Sequence, residues 1–559
     1  MSSSVPPPIT PPQPLTFPAL SEEQVQRLER IGTRRHVERG EILFKPSETN
    51  IPFFVMLSGK MDVVQVCPGG QEILLGVHDK RGEFTGEMGM LSGQRTMVLA
   101  RMTEPGELLQ IDPEHFRALI AQDSEIGDAL LGEFIRRRVE LIKGGWGNVI
   151  ILGSRYSAQT LELREFLSRN AYPYKYLDLD SDPRSQQLLD RFDVKASEVP
   201  VVICNAKNLL KRPTIQQLAK CLGLNSSVDR TQVRDLIIAG AGPAGLAAAV
   251  YAASEGLDVL VIESIAPGGQ AGSSSKIENY LGFPTGISGG ELADRASAQA
   301  QKFGVRMMIA RNVVGLNCGE RPYEVQLDGG DSLLARAVVI ATGAHYNRLA
   351  LTDLQKFDGN GVYYAATQIE AQLCDGQEVA VVGGGNSAGQ AAVFLSQCAS
   401  KVHVLVRSDD FKDTMSRYLI QRLEENPRIK LHYNTEIVAC SGEDCLDSLT
   451  WRDKKKDEVS TREIHHVFVM TGASPCTRWL GGKLALDSKG FILTGRDVQT
   501  MQNGGPHWPL ERNPQMLETS MPGVFAVGDV RGGNVKRVAS AVGEGAISIS
   551  MVHRDLAEL

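Results

Sequence analysis

The sequence predicts a multidomain protein: an N-terminal β-roll with helices, a central α/β domain, and a C-terminal α/β region containing two similar strand–turn–helix units. A length of 559 residues is enough for several domains, since each takes about 100 to 200 residues. Short apolar stretches between glycine turns fill the first part, and glycine-rich turns follow apolar strands at GAGPAG and GGGNSAG in the last. The predicted boundaries are 1–18 for a proline-rich tail, 19–145 for the β-roll, 146–225 for the central domain, and 232–350 with 479–559 around an inserted 351–478.

Composition argues against several classes of partner. The net charge is −7, without a long basic block, which does not favour nucleic acid or an anionic membrane. No apolar run approaches the roughly 20 residues that a bilayer span needs. The tail MSSSVPPPITPPQPLTFP is not a secretory signal, because no basic residue precedes an apolar segment. The nine cysteines are scattered, with no CxxC and no metal-ligand spacing. We expect a cytoplasmic protein with a disordered or polyproline-like tail and no metal.

The stretch GEFTGEMGMLSGQRTMVLARM lies among the short apolar segments of the predicted roll. A glycine-flanked turn contains Glu87, and Arg95 follows eight residues later. Backbone N–H groups opposite an arginine can hold one phosphate, and a nearby carboxylate can accept from a ribose hydroxyl. This pattern predicts a site for a small phosphate ester.

These residues resemble the phosphate cassette of the cyclic-nucleotide-binding domain, and the resemblance covers about residues 20–143. It implies that Glu87 binds the 2′-hydroxyl, that Arg95 binds the cyclic phosphate of cAMP or cGMP, and that Gly86 supplies a backbone N–H. Thr96 is similar to the cGMP-preferring version, whereas Met97 departs from the usual alanine. The alternative is a barrel that packs without binding nucleotide.

The central region alternates strands and helices, with NVIILGSRYSAQTLELREFLSRNAYPYKYLDLD followed by EVPVVIC. The valine–proline step before the last strand predicts a cis peptide at Pro200. The order resembles the thioredoxin or glutaredoxin fold over residues 148–223, but the loop GSRYSAQT lacks the CxxC of that family. We predict a buried Cys204 and a docking or structural role, with a thiol redox role as the alternative.

The first glycine-rich turn is the most informative motif of the chain. It lies in RDLIIAGAGPAGLAAAVYAASEGLDVLVIES, between an apolar strand and an alanine-rich helix. Gly240 permits the tight turn, Gly242 lets a pyrophosphate approach the backbone, and Gly245 lets helix and strand pack closely. Glu263 ends the next strand and is placed to accept from a ribose hydroxyl. The stretch predicts a dinucleotide site.

A second fingerprint follows in QEVAVVGGGNSAGQAAVFLSQCASKVHVLVRSDDF. Gly383, Gly385 and Ala388 repeat the same pattern, but the next strand is followed by Arg407 instead of an acid. An arginine pairs with a 2′-phosphate that an acid would repel. The second site therefore favours NADPH, with NADH as a possible donor.

Two dinucleotide folds, one inserted in the other, resemble the low-molecular-weight thioredoxin reductases of the class II pyridine nucleotide-disulfide oxidoreductase family, over residues 232–559. The resemblance also rests on PGGQ at 267–270, ENY at 278–280, ATG at 341–343 and GVFAVGDVRGGNVKRVASAVGEG at 523–545. The FAD residues it implies, together with the first fingerprint, are Gly240, Gly242, Pro243, Ala244, Gly245, Glu263, Gly269, Gln270, Asn279, Thr342, Gly343, Asp529, Arg537, Val538 and Ala539. The NADPH residues are Gly383, Gly385, Asn386, Ser387, Ala388, Arg407 and Lys412.

The reactive dithiol of that family is missing from GVYYAATQIE at 361–370. The two positions that hold cysteine in the family are occupied here by Ala365 and Gln368, and the position of the acid that follows them is occupied by Ile369. Neither Ala365 nor Gln368 can form a mixed disulfide. Cys374 is a single thiol further along the chain. The tyrosines at 363 and 364 are expected either to cover the flavin or to act as packing residues.

These observations predict a homodimeric, FAD-dependent NAD(P)H oxidoreductase with no identified catalytic side chain. Hydride passes from NAD(P)H to FAD and on to an external acceptor, such as a quinone, a small redox protein or oxygen, under control of a cyclic nucleotide. Two alternatives are open. One is thioredoxin-disulfide reductase activity through a non-standard thiol, and the other is a nucleotide-responsive sensor or scaffold with little turnover.

Overall fold

The computed structural model describes residues 18–66, 72–86, 90, 95–143, 149–182, 189–190, 194–204, 208–225, 229, 231–274, 276–351, 353–411, 415–443, 445–499 and 508–558. The chain forms two compact units, one of residues 1–153 with 171–227 and the other of residues 154–170 with 228–559. The segment 154–170 of the predicted central domain is therefore grouped with the C-terminal region.

The N-terminal part of the first unit is a roll of two sheets with helices before and after it. Its elements are α1 (Glu22–Glu29), β1 (Thr33–Val37), β2 (Ile42–Phe44), β3 (Phe53–Met56), β4 (Lys60–Val66), β5 (Glu72–His78), β6 (Leu99–Glu104), β7 (Gly106–Ile111), α2 (Pro113–Gln122) and α3 (Ser124–Lys143). The sheet orders are β1-β7-β3 and β2-β6-β4-β5, and the paired strands run antiparallel. Phe53 of β3 stacks on Phe116 of α2 with 4.4 Å between ring centroids. The predicted β-roll with helices is confirmed.

The rest of the first unit is a four-stranded mixed sheet. Its elements are β8 (Val149–Gly153), β9 (Lys175–Asp178), β10 (Val201–Cys204) and β11 (Asn208–Lys211). The next helix in the sequence, α4 (Ala158–Arg169), belongs to the second unit, and α5 (Ile215–Leu222) follows β11. The order is β11-β10-β8-β9, with β8 and β9 parallel and β10 antiparallel to both β8 and β11. The Val199–Pro200 peptide is cis and Cys204 is buried, as predicted.

The second unit begins with the first dinucleotide fold. Its elements up to the insertion are β12 (Val233–Ala239), α6 (Pro243–Ser254), β13 (Val259–Glu263), α7 (Gly269–Gly272), α8 (Gly289–Lys302), β14 (Arg306–Ile309), β15 (Val313–Asn317), β16 (Tyr323–Leu327), β17 (Ser332–Ile340) and β18 (Ala344–Tyr346). β12 runs parallel to both β13 and β17. It ends directly before the first glycine-rich turn, as the apolar run predicts.

The inserted fold is a parallel sheet with a small antiparallel sheet beside it in sequence. Its elements are β19 (Val362–Tyr363), α9 (Gln368–Leu373), β20 (Glu378–Val382), α10 (Asn386–Leu395), β21 (Lys401–Leu405), α11 (Arg417–Glu425), β22 (Ile429–His432), β23 (Thr435–Ser441), β24 (Ser448–Asp453), β25 (Glu458–Glu463), β26 (His466–Val469) and β27 (Ala473–Pro475). The parallel order is β19-β26-β20-β21-β22, and β23-β24-β25 form the antiparallel sheet. The two crossings between the folds, β18 and β27, pair as an antiparallel ribbon.

The chain then returns to the first fold through α12 (Arg496–Gln499), β28 (Val524–Ala526) and α13 (Val538–Ala557). β28 joins β17 and completes a seven-stranded sheet whose path is β14-β13-β12-β17-β16-β15. The first sheet is mixed, since β16 pairs antiparallel with β15 and β17, and the inserted sheet is parallel. Two such dinucleotide folds, one inserted in the other, confirm the predicted architecture of the C-terminal region.

The helices α6 and α13 pack at backbone distance because glycine stands at their contact. A Cβ on Gly545 of α13 would lie 2.2 Å from the carbonyl oxygen of Ala244 in α6. Gly543, one half-turn earlier on the same helix, has no atom within 4 Å of the corresponding position. Because Gly545 has no side chain, the two helices can approach this closely.

We expect Gly545→Ala to lower the free energy of unfolding by about 1–3 kcal/mol, because overpacking forces backbone or rotamer shifts. Gly543→Ala is the matched control and should be neutral or stabilising by up to about 1 kcal/mol, the helix-propensity gain of alanine. Urea unfolding followed by circular dichroism measures both. Equal midpoints for the two variants would contradict close packing at Gly545.

Candidate functional site

The turn between β12 and α6 forms a cradle of backbone groups. Gly240 has φ +105°, and a Cβ on Gly245 would lie 1.9 Å from the Gly240 carbonyl oxygen. Gly242 is the N-cap of α6 and makes no side-chain cap, while Pro243 occupies the first turn. The first N–H groups of α6 are therefore left for an external acceptor, as an anion site requires.

Glu263 at the end of β13 lies against this cradle. Its carboxylate accepts from the Ala241 N–H at 2.8 Å and from the Ile265 N–H at 2.9 Å. The side chain is buried, with 7% of its surface exposed. The structure thus brings the predicted acid and the first fingerprint together.

The segment that contains the predicted Gly269 and Gln270 also packs on the fingerprint. The Gly268 N–H donates to the Ala241 carbonyl at 2.8 Å, and a Cβ on Gly269 would lie 3.0 Å from the Gly242 Cα. The backbone of this segment therefore contacts the fingerprint at two points, Ala241 and Gly242.

The C-terminal motif approaches the same helix end. A Cβ on Gly528 would lie 2.9 Å from the Ala244 Cβ, which places the neighbouring Asp529 close to the start of α6. Burial raises the pKa of Asp529 above its usual value. Arg537 caps α13 with an extended backbone and no side-chain cap bond, so the N–H groups of the first turn, which contains Val538 and Ala539, remain open.

Two predicted FAD residues lie at other edges of the region. The Thr342 hydroxyl donates to the Cys476 carbonyl at 2.9 Å, and Gly343 beside it has φ +67°. Asn279 is exposed, in the loop closed by the Ile277–Ile287 backbone pair. The structure therefore gathers most of the predicted set and leaves Asn279 on the surface.

Asn534 is a residue that the sequence did not single out, although it lies in the quoted GGNVKR stretch. Its side-chain Nδ2 and Oδ1 are both buried without a hydrogen-bond partner among the described residues. A buried amide without partners costs about 1–3 kcal/mol, so a ligand with donors and acceptors fits beside it. Together with the open cap at Gly242, this orphaned amide shows that the residues present fit a flavin dinucleotide.

The second fingerprint, between β20 and α10, repeats the cradle. Gly383 has φ +146°, Gly385 is an N-cap without a side-chain bond, and Ala388 is buried. Asn386 accepts from the Ser416 N–H at 2.8 Å, and Ser387 accepts from the Tyr346 hydroxyl at 2.7 Å.

Only one of the two basic residues predicted beside this second cradle lies among the described residues. Arg407 is exposed after the end of β21. Lys412 lies outside the described residues. The cationic side chain of Arg407 is thus exposed to solvent, where the prediction places the 2′-phosphate of NADPH.

Of the two positions where the resemblance places the dithiol of the family, Gln368 begins α9 and Ala365 lies three residues before it. Thr367 caps this helix, and Glu370 accepts from its N–H at 2.7 Å, so TQIE forms a capping box. Ala365 and Gln368 line a cavity of about 640 Å³. Tyr363 packs on Phe468 with 5.3 Å between ring centroids, which agrees with its interpretation as a packing residue.

Cys374 and Cys476 are two thiols of the second unit whose surroundings bear on thiol chemistry. Cys374 is completely buried in the core of the inserted fold, and burial raises the pKa of its thiol. Cys476 lies 3.3 Å from the His345 Nδ1 through its Sγ, and burial also raises its pKa. Both thiols are therefore held protonated, the less reactive form.

The predicted nucleotide residues of the first unit have their own partners. Arg95 donates to the Cys221 carbonyl at the end of α5 at 3.3 Å, and the Thr96 hydroxyl donates to the Lys45 carbonyl at 2.5 Å. Gly86 has φ +110°, and its carbonyl accepts from Arg137 of α3 at 2.9 Å. Glu87 lies outside the described residues.

Two further observations concern metals and membranes. Within the described ranges, no group of three or more His, Cys, Asp or Glu side chains is arranged to hold a metal ion. None of the described helices has the length and apolar character that a bilayer span requires.

Two α/β sheets, each with an open glycine cradle between a parallel strand and the next helix, define the class of two-dinucleotide-domain flavoproteins. Residues 234–545 match the family described as "Pyridine nucleotide-disulphide oxidoreductase", and the chain belongs to this family. Residues 34–123 match the family described as "Cyclic nucleotide-binding domain". The chain is thus a member of a flavin- and pyridine-nucleotide-dependent family with a cyclic nucleotide-binding domain at its N-terminal side.

Thioredoxin reductases are prominent among the similar proteins. That of Ureaplasma parvum serovar 3 is 34% identical over 325 residues, which cover 57% of this chain and 95% of that protein. Thioredoxin reductase 1, mitochondrial, of Arabidopsis thaliana is 32% identical over 328 residues, covering 56% and 81% respectively. The crystal structure of Lactococcus lactis thioredoxin reductase in its FR conformation has a TM-score of 0.52 at 27% identity, covering 58% of this chain and 100% of that one.

We expect Gly242→Ala to fold normally and to lose flavin. An added Cβ would meet only the Gly269 Cα at 3.9 Å, yet it would occupy the space through which a pyrophosphate approaches the backbone. The flavin content of the purified variant and its Kd for added FAD measure the effect, which should be at least tenfold, about 1.4 kcal/mol. Parental flavin content would contradict this position for the pyrophosphate.

Proposed function

We propose that the protein is an FAD-dependent NAD(P)H oxidoreductase that passes electrons to an external acceptor without an internal dithiol, under control of a cyclic nucleotide. The observation that carries the proposal is the pairing of two open dinucleotide cradles with Ala365 and Gln368 at the dithiol positions. When bound, the flavin supplies the hydride chemistry. The side chains of the protein have to bind and orient the two cofactors and shield the flavin.

The first cradle supplies the groups that would hold FAD. The uncapped N-terminus of α6 would hold the pyrophosphate, Glu263 would accept from a ribose hydroxyl, and the first turn of α13 would offer further N–H donors. In the second cradle the α10 N-terminus and the exposed Arg407 favour NADPH as the donor.

The buried position of Cys374 argues against a thioredoxin-disulfide reductase that uses this thiol. Its side chain is fully enclosed by core residues and is not among the residues that line the cavity at Ala365. Since a thiolate is the nucleophile in thiol–disulfide exchange, a buried, protonated thiol is poorly suited to that role.

Arg95 supports a role for the cyclic nucleotide in regulation. The side chain packs on Gly223, where a Cβ would lie 2.8 Å from its Cδ, and donates to the last turn of α5. A phosphate bound by Arg95 would compete with the Cys221 carbonyl for the same guanidinium. The proposed control is this exchange of partners, which releases α5 when nucleotide binds.

The central region supports a docking or structural module of thioredoxin-like type. The order β11-β10-β8-β9 and the cis Pro200 agree with that fold, and the loop before α4 contains Ser154 and Ser157 where such a module would need cysteines. The proposal also includes a homodimer. Only the resemblance to the thioredoxin reductases supports this part.

We expect anaerobic NADPH to bleach the visible flavin band of the purified protein, and Cys374→Ser to bleach at the parental rate. The reason is that hydride transfer uses the two cradles and no thiol. Stopped-flow absorbance measures the rate, with Cys398→Ser as a control thiol on the same fold. An unchanged spectrum in the parent would refute the oxidoreductase function. A Cys374→Ser variant whose flavin is no longer bleached would restore a role for Cys374.

We expect Arg95→Ala to weaken binding of cGMP or cAMP by about 10- to 100-fold, since hydrogen bonds to a charged group contribute about 1.5–3 kcal/mol. Isothermal titration calorimetry measures binding. Arg101→Ala is the matched control, because Arg101 pairs with Glu72 on the surface at 2.8 Å. Absence of saturable binding of either nucleotide by the parent would contradict this part of the proposal.

A further inference from the structure

The cavity beside Ala365 and Gln368 is closed by a helix from outside both dinucleotide folds. α4 contributes Leu161, Glu165 and Arg169 to its lining, and the inserted fold contributes Tyr363, Tyr364 and Phe394. Its volume of about 640 Å³ lies within the range of small-molecule sites, roughly 300–1,000 Å³. None of the described residues that line it is a cysteine.

Helix α4 is fixed to both folds of the second unit. Leu161 belongs to the core of the inserted fold, and a Cβ on Gly359 would lie 2.9 Å from the Ala158 Cβ. At the other end of the helix, Arg169 donates to the Gly269 carbonyl at 3.0 Å and Asn170 donates to the Ile265 carbonyl at 3.1 Å.

The cavity shares a wall with the flavin cradle. Gln270 lines the cavity, and its neighbours Gly268 and Gly269 contact Ala241 and Gly242 of the fingerprint. A molecule in the cavity is therefore separated from the fingerprint by a single backbone segment, the one that carries the predicted FAD residue Gln270.

Glu165 and Glu370 form a carboxyl pair at this wall. Glu370 is 1% exposed, its Oε2 accepts from Thr367, and its Oε1 has no donor among the described side chains and N–H groups. Glu370 acts on Glu165, and two carboxyl groups this close to one another disfavour double ionisation.

Burial and the neighbouring Glu370 raise the pKa of Glu165 to about 9. Two other charged groups act on it from its own helix, since Arg169 lowers the pKa and Glu162 raises it. Burial and Glu370 thus favour the neutral, protonated form of Glu165, which lines the cavity.

We propose that this cavity binds a planar aromatic two-electron acceptor of the quinone type and that Glu165 donates a proton to an oxygen of the acceptor. The inference rests on the proposed oxidoreductase function and names its acceptor. Aromatic walls suit a flat ring, and a neutral carboxylic acid suits a carbonyl oxygen that gains negative charge on reduction.

The reaction balances without a thiol. NAD(P)H is oxidised to NAD(P)⁺ and gives up a hydride, the acceptor gains two electrons and two protons in total, and the second proton comes from the Glu165 carboxyl. Solvent returns one proton to the resulting carboxylate. The sum is NAD(P)H + H⁺ + quinone → NAD(P)⁺ + hydroquinone.

The test compares Glu165→Gln with Glu424→Gln, a control at an exposed position of α11 that is not among the residues lining the cavity. The Glu165→Gln change keeps the length and shape of the side chain, so the fold should be kept. With menadione as the acceptor, turnover of Glu165→Gln should fall by about 100-fold or more at neutral pH, the usual contribution of a general acid. Bleaching of the flavin by NADPH should keep the parental rate, and Glu424→Gln should match the parent in both measurements.

The pH profile and two measurements without turnover complete the test. Parental menadione reduction should fall as the pH rises through about 9, because the donor is protonated only below its pKa, and Glu165→Gln should lack this fall. The infrared band of a protonated carboxyl should be present in the parent at neutral pH and absent in Glu165→Gln. Naphthol, which cannot be reduced, should bind the parent but not Ala365→Trp, which fills the cavity.

Parental menadione turnover in Glu165→Gln, an unchanged carboxyl band, or naphthol binding by Ala365→Trp would each overturn the inference. If NADPH fails to bleach the parent, the proposed function fails separately. Photochemical reduction then replaces NADPH, and reoxidation by menadione still decides the role of Glu165.

Discussion

The approach of backbone to backbone at the start of α6 is the constraint on which the flavoprotein part depends. Gly245 stands where a side chain would collide with the Gly240 carbonyl, and Gly545 brings α13 against the Ala244 carbonyl. The first N–H groups of α6 and of α13 have no side-chain cap, and the buried amide of Asn534 has no hydrogen-bond partner among the described residues. An anion satisfies the donors there at little reorganisation cost.

The start of α9 does not depend on cysteine at the positions where the resemblance places the dithiol of the family. Thr367 and Glu370 give α9 a capping box, so the helix begins with Gln368 at its first position. The same Glu370 acts on Glu165, which lines the cavity. One buried carboxylate thus both caps a helix and neighbours the proposed proton donor.

The sequence predicted well what local patterns encode. Strand, glycine turn, helix and terminal acid lie together in 236–263, so their geometry follows from periodicity and from the conformational range of glycine. The cis Pro200 and the buried Cys204 were likewise predictable. Glu165 was not, because its partner Glu370 is brought to it only by tertiary packing, and Glu165 itself lies in no motif. Asn534 was missed because an unsatisfied amide is visible only once burial is known, and the placement of α4 in the second unit follows from contacts that no local pattern contains.

The ribbon of β18 and β27 is the only pair of strands that carries the described chain between the two dinucleotide folds. Rotation of the inserted fold about this ribbon has to strain or break the attachments of α4. Burial of Leu161 is worth about 1.5–3 kcal/mol and the Arg169 hydrogen bond about 1 kcal/mol. Helix α4 contacts the inserted fold near its N-terminal end and the first fold at its C-terminal end, so separating the two folds has to break one of these sets of contacts.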